Sequence, residues 1–407
     1  IDWTRVQTRL SDDHTTATVL ASLEIDSSAE MQVQASFEIA GQTGQNRVVV
    51  DAALHKGLNH VHAELPLDKP NVWWPHGQGA QPLYELRTEL STREGAVTDA
   101  RQARFGVRDV RWIHTEGAPT DFINRFQLII NGRPVRTIGS NFIPSDLLFG
   151  RMEKRALHLL HQAKDAGMNT LRVWGGGVIC HDSFYDLADE LGILLVQEFP
   201  LANILPPKDP DYYAMLEGTA RNIVRQVRNH PSIIEFDGGN EMRWKSDTDH
   251  PAFHLLKRVV AEEDGRIFRA TCPDLGAGHG PWGFDLWTYG KTFYGKNASM
   301  RNTMRQGEFG TASPAHLEVW QREIPIKDQW PILGLNNEVL HRKRAVRAIG
   351  PFNWLNKNSL DDVFGPFDGL AEMIQAGQFY GAGSVFYMGS GEMWRLRALE
   401  GVRLDEE

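Results

Sequence analysis

Two glutamates lie in sequence contexts suited to acid–base chemistry. Glu241 follows Asn240 directly after a short apolar run, Ile233–Phe236, that predicts a buried strand. The two glycines before Asn240 let the chain turn sharply, which places both polar residues at the strand's carboxyl end. A carboxyl group there can protonate a leaving oxygen while the neighbouring amide holds a hydroxyl group of the bound molecule. This chemistry needs a second carboxyl group, and Glu308 in the run Gly-Glu-Phe-Gly is the candidate.

The second half of the chain has the alternation of strands and helices that would position these groups. Because strands and helices that alternate at this spacing form parallel sheets, we predict a (β/α)8 TIM barrel over residues 114–407. In such barrels the active site lies at the carboxyl ends of the strands. The predicted helices span 152–166, 183–191, 212–229, 254–269, 315–321 and 367–382, and the later strands lie near Phe268–Thr271, Asp285–Tyr289 and Met304–Phe309.

Residues 1–113 alternate between apolar and polar side chains, with turn-rich segments between the runs. Short alternating strands at this spacing predict an immunoglobulin-like β-sandwich. The run Trp73-Trp74-Pro75 lies between two of these strands. A Trp pair can stack on a sugar ring, but beside proline we interpret it as packing at the junction between two domains.

Composition excludes several classes of protein. The net charge is −9 with mixed signs and no basic block, which argues against a nucleic-acid partner. No apolar run reaches the roughly 20 residues that cross a bilayer, so we expect a soluble protein with no membrane partner and favour the cytoplasm. The two cysteines, Cys180 and Cys272, exclude a disulfide framework and lie in no zinc-ligand pattern.

Several motifs together resemble glycoside hydrolase family 2, and most closely its β-mannosidase branch. Gly-Asn-Glu at Glu241 is similar to the family's acid/base motif, and Gly-Glu-Phe-Gly at Glu308 is similar to its nucleophile motif. The resemblance covers nearly the whole chain. The other segments that are similar to the family are Asn141–Asp146, Asn169–Gly177, Phe184–Ile193, Trp73–Pro75, Gln81–Tyr84 and Arg104–Arg108.

The resemblance implies a retaining exo-β-glycosidase that hydrolyses terminal β-linked sugars, with β-mannosides as the expected substrates. Glu308 would attack the anomeric carbon and Glu241 would act as acid and base, with the two carboxyl groups about 5–5.5 Å apart. Two carboxyl groups suffice for this reaction, so no metal or organic cofactor is expected. Alternatives are a relative that acts on β-glucosaminides or β-galactosides, and a carbohydrate-binding subunit without turnover.

The resemblance also implies supporting roles for residues around the two glutamates. Arg172, at the end of the second barrel strand, would hold Glu308 ionised through charge-assisted hydrogen bonds. Asn240 would bind the sugar 2-hydroxyl group. Trp174 would form a wall of the pocket or pack the barrel, and Asp146 would bind sugar hydroxyl groups or cap a helix.

Two aromatic residues before Glu308 complete the expected site. Trp287 stands where the family often has a histidine, in the strand expected near Asp285–Tyr289, and we place it among the substrate-binding residues. Tyr289 is expected to bind the nucleophile, a role that Tyr294 could equally fill. Glu198 is a weaker candidate for a pocket carboxylate than Glu241.

The chain also departs from the family's architecture. The family has a jelly-roll domain before the sandwich and an eighth barrel strand, and no run in this sequence resembles either. A barrel without one strand has unpaired edges. We therefore expect these parts from another polypeptide or from a segment outside this sequence. A second Asn-Glu pair, Asn337-Glu338, follows no clear strand and is interpreted as a loop.

Overall fold

The computed structural model describes residues 1–40, 47–117, 126–146, 148–242, 249–273, 277–282, 305–310, 318, 321–322 and 324–329. It divides into two units. The first contains Ile1–His114 and Phe126–Asp274, and the second contains Thr115–Arg125 and Leu275–Glu407. Trp287 and Tyr289, the helix predicted over 367–382 and the Asn337-Glu338 pair lie outside the described residues.

Seven antiparallel strands form the first part of the chain as two facing sheets. Alternate side chains of these strands are buried in one apolar core, as the period-two pattern predicts, and the predicted β-sandwich is confirmed. The three-stranded sheet has the order β1-β2-β5, and the four-stranded sheet has the order β4-β3-β6-β7. The strands are β1 (Trp3–Leu10), β2 (Thr16–Ser27), β3 (Met31–Ile39), β4 (Arg47–Leu54), β5 (Gly57–Asp68), β6 (Tyr84–Thr92) and β7 (Val97–Phe105).

A small antiparallel sheet of three strands follows the sandwich. It has the order β10-β9-β8 and contains β8 (Val110–His114), β9 (Phe126–Ile130) and β10 (Arg133–Val135). The predicted hairpin turn at Asn131-Gly132 joins β9 to β10, with both residues at positive φ. The predicted domain boundary at residue 113 falls within β8 and stays a prediction.

The next segment forms five parallel strands in sequential order, β11-β12-β13-β14-β15. A helix connects each strand to the next, as the alternating pattern predicts, and the helices bury apolar faces against the sheet in a second core. The strands are β11 (Gly139–Phe142), β12 (Thr170–Val173), β13 (Leu194–Glu198), β14 (Ile233–Asp237) and β15 (Phe268–Arg269), and the helices are α1 (Phe149–Asp165), α2 (Asp182–Leu191), α3 (Pro210–Val227) and α4 (Pro251–Glu263). This is the strand order of the first part of a (β/α)8 barrel, and a complete barrel is not shown.

The second unit contains two described strands, β16 (Ala277–Trp282) and β17 (Arg305–Gly310), which pair in parallel. A 3₁₀ turn, Ile326–Asp328, follows them. The strand expected near Glu308 is confirmed as β17. The strand expected near Asp285–Tyr289 lies outside the described residues, and β16, which pairs with β17, begins eight residues earlier in the sequence.

Trp73 joins the sandwich to the parallel sheet. Its side chain is fully buried, and its indole Nε1 donates to the carbonyl oxygen of Asp189 in α2 at 2.9 Å. Its own carbonyl oxygen accepts from the Asn131 amide at 2.9 Å. The interpretation of the Trp pair as a junction is therefore confirmed for Trp73.

Charged side chains lie near the same junction, some within the parallel-sheet part and some across to the sandwich. His230, just before β14, contacts Asp189 with 2.6 Å between Nδ1 and Oδ2, and the other carboxylate oxygen of Asp189 accepts from the Ser232 amide at 3.0 Å. Burial acts to lower the pKa of His230, but the charge of Asp189 and its hydrogen bond outweigh burial and raise the pKa. Glu24 of the sandwich pairs with Arg225 and Arg228 at 2.8 and 3.0 Å.

The Trp73 contact gives a stability prediction. Trp73→Phe should lower the free energy of unfolding by about 2 kcal/mol, because it leaves a cavity and an unpaired carbonyl oxygen on Asp189. Trp3→Phe is the control, since Trp3 is only partly buried; the change should cost less than about 1 kcal/mol. Urea unfolding followed by circular dichroism measures both. Equal losses in the two variants would contradict the assigned role of Trp73.

The His230–Asp189 pair predicts a dependence of stability on pH. The pKa of His230 is raised in the folded state, so the folded protein holds this proton to higher pH than the unfolded chain does. The stabilisation should be complete below the unfolded pKa of about 6.5 and should be lost as pH rises through the folded pKa. The urea midpoint of the unaltered protein should fall as pH rises through this range. In His230→Gln the fall that comes from His230 should disappear. If the variant and the unaltered protein show the same dependence on pH, the prediction is refuted.

Candidate active site

Strand β14 and the turn after it carry Asn240 and Glu241. All five residues of β14 are buried. Gly239 follows with a φ of +147°, and a Cβ atom there would lie 2.5 Å from the carbonyl oxygen of Leu201. Glycine is therefore required at this position because the backbone passes too close to the neighbouring chain for a side chain. The turn places Asn240 and Glu241 at the carboxyl end of the fourth parallel strand, where the sequence predicted them.

Neighbouring chain segments hold the backbone of this turn on both sides. Asn240 forms isolated parallel bridges with Ala202 and with Cys272. Its amide nitrogen donates to the carbonyl oxygen of Leu201 at 2.9 Å, and the amide of Glu241 donates to Cys272 at 2.8 Å. These bonds extend the pairing of strands β13, β14 and β15 beyond their regular ends.

Glu241 has a left-handed backbone, with a φ of +48°. Residues other than glycine rarely adopt this conformation, which costs of order 1–3 kcal/mol and persists where the surroundings fix it. The side chain of Glu241 is exposed. The turn thus places an acidic, exposed residue at the end of a rigid strand.

Arg172 lies at the centre of the strand ends and is fully buried. Its Nε and Nη2 atoms lie 2.8 and 2.7 Å from Oε1 of Glu198, which is also fully buried. Nη1 donates to Oδ1 of Asn141 at 3.2 Å, and Nη2 donates to Oδ1 of Asn240 at 2.7 Å. The guanidinium group therefore connects the ends of β11, β12, β13 and β14.

The contact with Arg172 fixes the orientation of the Asn240 amide. A guanidinium group only donates hydrogen bonds, so the atom facing it must be the amide oxygen. The Asn240 nitrogen then donates to Oδ1 of Asn203 at 3.1 Å. Asn203 has a φ of +63°, and its backbone amide donates to the carbonyl oxygen of Asn240 at 2.8 Å. Sequence reasoning did not identify Asn203, because no strand or motif marks this loop position.

Glu198 is the carboxylate partner that the buried Arg172 requires. Its second oxygen, Oε2, accepts from the backbone amide of Gly175 at 2.6 Å. The sequence marked Glu198 as a weaker pocket candidate, and the structure places it beside both Arg172 and the turn after β12. The predicted contact of Arg172 with Glu308 stays a prediction.

Trp174 and Asp146 lie after the first two parallel strands. Trp174 is partly buried, and its ring lies against Gly176, where a Cβ atom would be 2.0 Å from the indole. This contact explains a glycine at that position. Oδ1 of Asp146 accepts from the backbone amide of Leu148 at 2.8 Å, in the turn that precedes α1. Asp146 thus acts in the turn before the helix, and the proposed sugar contacts of both residues stay predictions.

In the second unit, Glu308 lies on β17 opposite His279 of β16. Oε2 of Glu308 is 3.5 Å from Nδ1 of His279, and both side chains are largely buried. No histidine was predicted in the preceding strand, because that strand was expected near Asp285–Tyr289. His279 stands between two glycines, and this context gave no strand signal.

No helix among the described residues is both long and apolar enough to cross a membrane. Within the described ranges, groups of His, Cys, Asp or Glu residues lie close enough together to be considered as metal ligands. In one of them, Asp189 and His230 already pair with each other at the domain junction. In another, Glu198 already pairs with Arg172.

Comparisons with known proteins show which proteins this chain is similar to. Residues 1–108 match the model of the glycosyl hydrolases family 2. The chain is 35% identical over 281 residues to the β-mannosidase of Mus musculus, which covers 63% of this chain and 31% of that protein. The resemblance to glycoside hydrolase family 2 is therefore confirmed, and β-mannosidases are among the similar proteins.

Solved structures of two proteins are similar in fold to this chain. The β-D-mannosidase of Dictyoglomus thermophilum superimposes with a TM-score of 0.74 and 25% identity, over 93% of this chain and 48% of that one. The exo-chitosanase of Amycolatopsis orientalis has the same fold, with a TM-score of 0.64 and 22% identity over 80% of this chain and 39% of that one. The chain thus spans less than half the length of each of these relatives.

The buried ion pair leads to a stability prediction. Glu198→Gln should lower the free energy of unfolding by about 3–5 kcal/mol, because it leaves the Arg172 charge buried without a carboxylate partner. Glu190→Gln is the matched control, since Glu190 pairs with Arg104 at the surface. That change should cost about 1 kcal/mol or less. Urea unfolding compares the two variants. A loss of about 1 kcal/mol or less for Glu198→Gln would show that the fold does not depend on the Arg172–Glu198 pair.

Proposed function

We propose that the protein hydrolyses terminal β-linked glycosides with retention of configuration, and that β-mannosides are its substrates. The observation that carries the proposal is the Asn240-Glu241 turn, which holds an exposed carboxyl group beside an oriented amide at the end of a parallel strand. The similarity to the β-mannosidases of Mus musculus and Dictyoglomus thermophilum supports mannose as the sugar of the substrate. We further propose that the parallel strands belong to a complete (β/α)8 barrel.

In the first step, an oxygen of Glu308 attacks the anomeric carbon and the bond from that carbon to the leaving oxygen breaks. Glu241 gives its proton to the leaving oxygen. In the second step, Glu241 takes a proton from water, the water oxygen attacks the anomeric carbon, and the bond to Glu308 breaks. The configuration is inverted twice and so retained.

The neighbours of each carboxyl group support these roles. His279 lies 3.5 Å from Glu308 and would help to orient the carboxylate that attacks. Asn240, with its oxygen bound to Arg172, keeps its amide hydrogens for Asn203 and for a sugar hydroxyl group. Trp174 would supply an apolar wall, and Arg172, Asp146, Trp287 and Tyr289 complete the proposed binding set.

Two glutamine substitutions test the roles. Glu308→Gln should reduce hydrolysis of every substrate by several orders of magnitude, because the nucleophile is lost. Glu241→Gln should reduce hydrolysis about 10²–10⁴-fold for alkyl or sugar leaving groups, and less for nitrophenol, which leaves without a proton. Glu338→Gln, in the second Asn-Glu pair, is the control and should keep full activity. Rates measured with both kinds of leaving group make the comparison.

The substrate is tested by release of nitrophenol from aryl β-mannoside, β-glucoside, β-galactoside and β-glucosaminide. The β-mannoside should have the highest kcat/KM, and early products observed by proton NMR should keep the β configuration. Preference for the β-glucosaminide would favour a specificity like that of the exo-chitosanase. Activity that survives Glu308→Gln would show that the nucleophile is assigned wrongly.

A further inference from the structure

A cleft with a volume of about 550 Å³ lies between the sandwich and the amino ends of the parallel strands. Strand β1 and the segment after β7 form one side of it. Pro231 and Ile267, which precede β14 and β15, lie on the other side. The cleft is thus at the opposite end of β14 from Glu241. Four arginines line it: Arg5, Arg108, Arg228 and Arg266.

Arg108 is buried in this cleft without a carboxylate partner. Its side chain is 8% exposed, and its Nη2 donates to the carbonyl oxygen of Ile233 at 2.6 Å. Its Nε is buried and has no hydrogen-bond partner. Buried charges in proteins are normally paired, because an isolated buried ion is strongly unfavourable.

Arg5 on β1 also lines the cleft; it is partly buried and likewise has no carboxylate partner. Its hydrogen bonds go to the carbonyl oxygens of Glu262 and Asp264 at 3.2 and 2.9 Å, and its Nε has no partner. Within the described part of the chain, no carboxylate forms an ion pair with Arg5 or Arg108. The charge of Asp264 acts to raise the pKa of both guanidinium groups, but neither group has a direct ion-pair partner.

The acidic residues that line the cleft form their ion pairs with other arginines. Asp264 already pairs with Arg266 at 2.5 Å, and Asp109 pairs with Arg111 at 2.5 Å. Arg228 pairs with Glu24 and Glu263.

The pKa values agree with an unfavourable environment for the cations. Burial, and next the charge of Arg266, lower the pKa of Arg108 to about 9. Burial, and next the charge of Arg228, lower the pKa of Arg5. Arginine stays protonated at neutral pH despite such shifts, so the folded protein carries a cost that a bound anion would offset.

We propose that this cleft binds a dianionic phosphate group between Arg5 and Arg108. Two unpaired guanidinium groups match the charge of a dianion, and their planar N–H groups fit phosphate oxygens. The volume also leaves room for an organic group that carries the phosphate. The proposal does not depend on the glycosidase reaction, because its residues lie at the other end of the strands.

Titration calorimetry with inorganic phosphate tests the proposal. Phosphate should bind with measurable heat and should raise the thermal unfolding midpoint, whereas chloride at equal ionic strength should do neither. Glu241→Gln, altered at the far end of β14, should bind phosphate like the unaltered protein. If phosphate and chloride act alike on the unaltered protein, the proposal is overturned.

A pair of substitutions on one strand locates the site. Arg5→Gln should weaken phosphate binding roughly tenfold or more, because it removes a charged hydrogen-bond donor. Arg9→Gln on the same strand is the control, since Arg9 is exposed and does not line the cleft; binding should not change. Circular dichroism confirms that both variants are folded. Equal affinity in the two variants would place the phosphate elsewhere and overturn the proposal.

Discussion

The burial of one cation, Arg172, organises the ends of the parallel strands. A guanidinium group removed from water needs an anion and further hydrogen-bond acceptors, because the free energy lost on desolvation is larger than the free energy gained from one neutral hydrogen bond. Glu198 supplies the anion, and Asn141 and Asn240 supply the acceptors. Each of these residues lies at the end of a different strand. The requirement to satisfy one buried charge therefore fixes the relative positions of four strand ends.

The same requirement determines the chemistry that the site can present. Because arginine offers only donors, Asn240 must turn its oxygen inward, and its nitrogen is left for Asn203 and for a bound molecule. Glu241, the next residue, takes a left-handed backbone that only a fixed environment maintains. A buried ion pair contributes little to net stability in many proteins. Here its contribution is orientation, which a reaction between positioned groups requires.

Local pattern was enough to predict most elements but few of the contacts. Alternating residues indicated the sandwich strands, and helical spacing indicated α1 to α3 to within a few residues. The helix predicted over 254–269 ends at Glu263, because Gly265 adopts a φ of +95° and the chain then enters β15. Strand β16 contains two glycines and a proline, so its strand state comes from pairing with β17 and not from its own residues.

Within the candidate site, too, local sequence signals identified some residues but not their distant contacts. Asn240 and Glu241 could be found from the strand before them and the glycines between, since both signals are local. The partners of Arg172 could not, because Asn141, Glu198 and Asn240 are 31, 26 and 68 residues away along the chain. Only the parallel register brings them together. The sequence indicated that a buried arginine needed an acid, and pairing of β12 with β13 determined that Glu198 is close enough to be that acid.

Strand β14 explains why the sandwich and the parallel sheet are joined so closely. At its amino end, the carbonyl oxygen of Ile233 accepts from Arg108 of the sandwich segment, and the Ser232 amide is bound by Asp189. At its carboxyl end, Asn240 is bound by Arg172. A strand held at both ends cannot slide along its neighbours, and a shift of about 1 Å can slow a reaction considerably. The sandwich therefore does more than bury apolar surface. It helps to prevent β14, the strand that leads to Glu241, from shifting along its length.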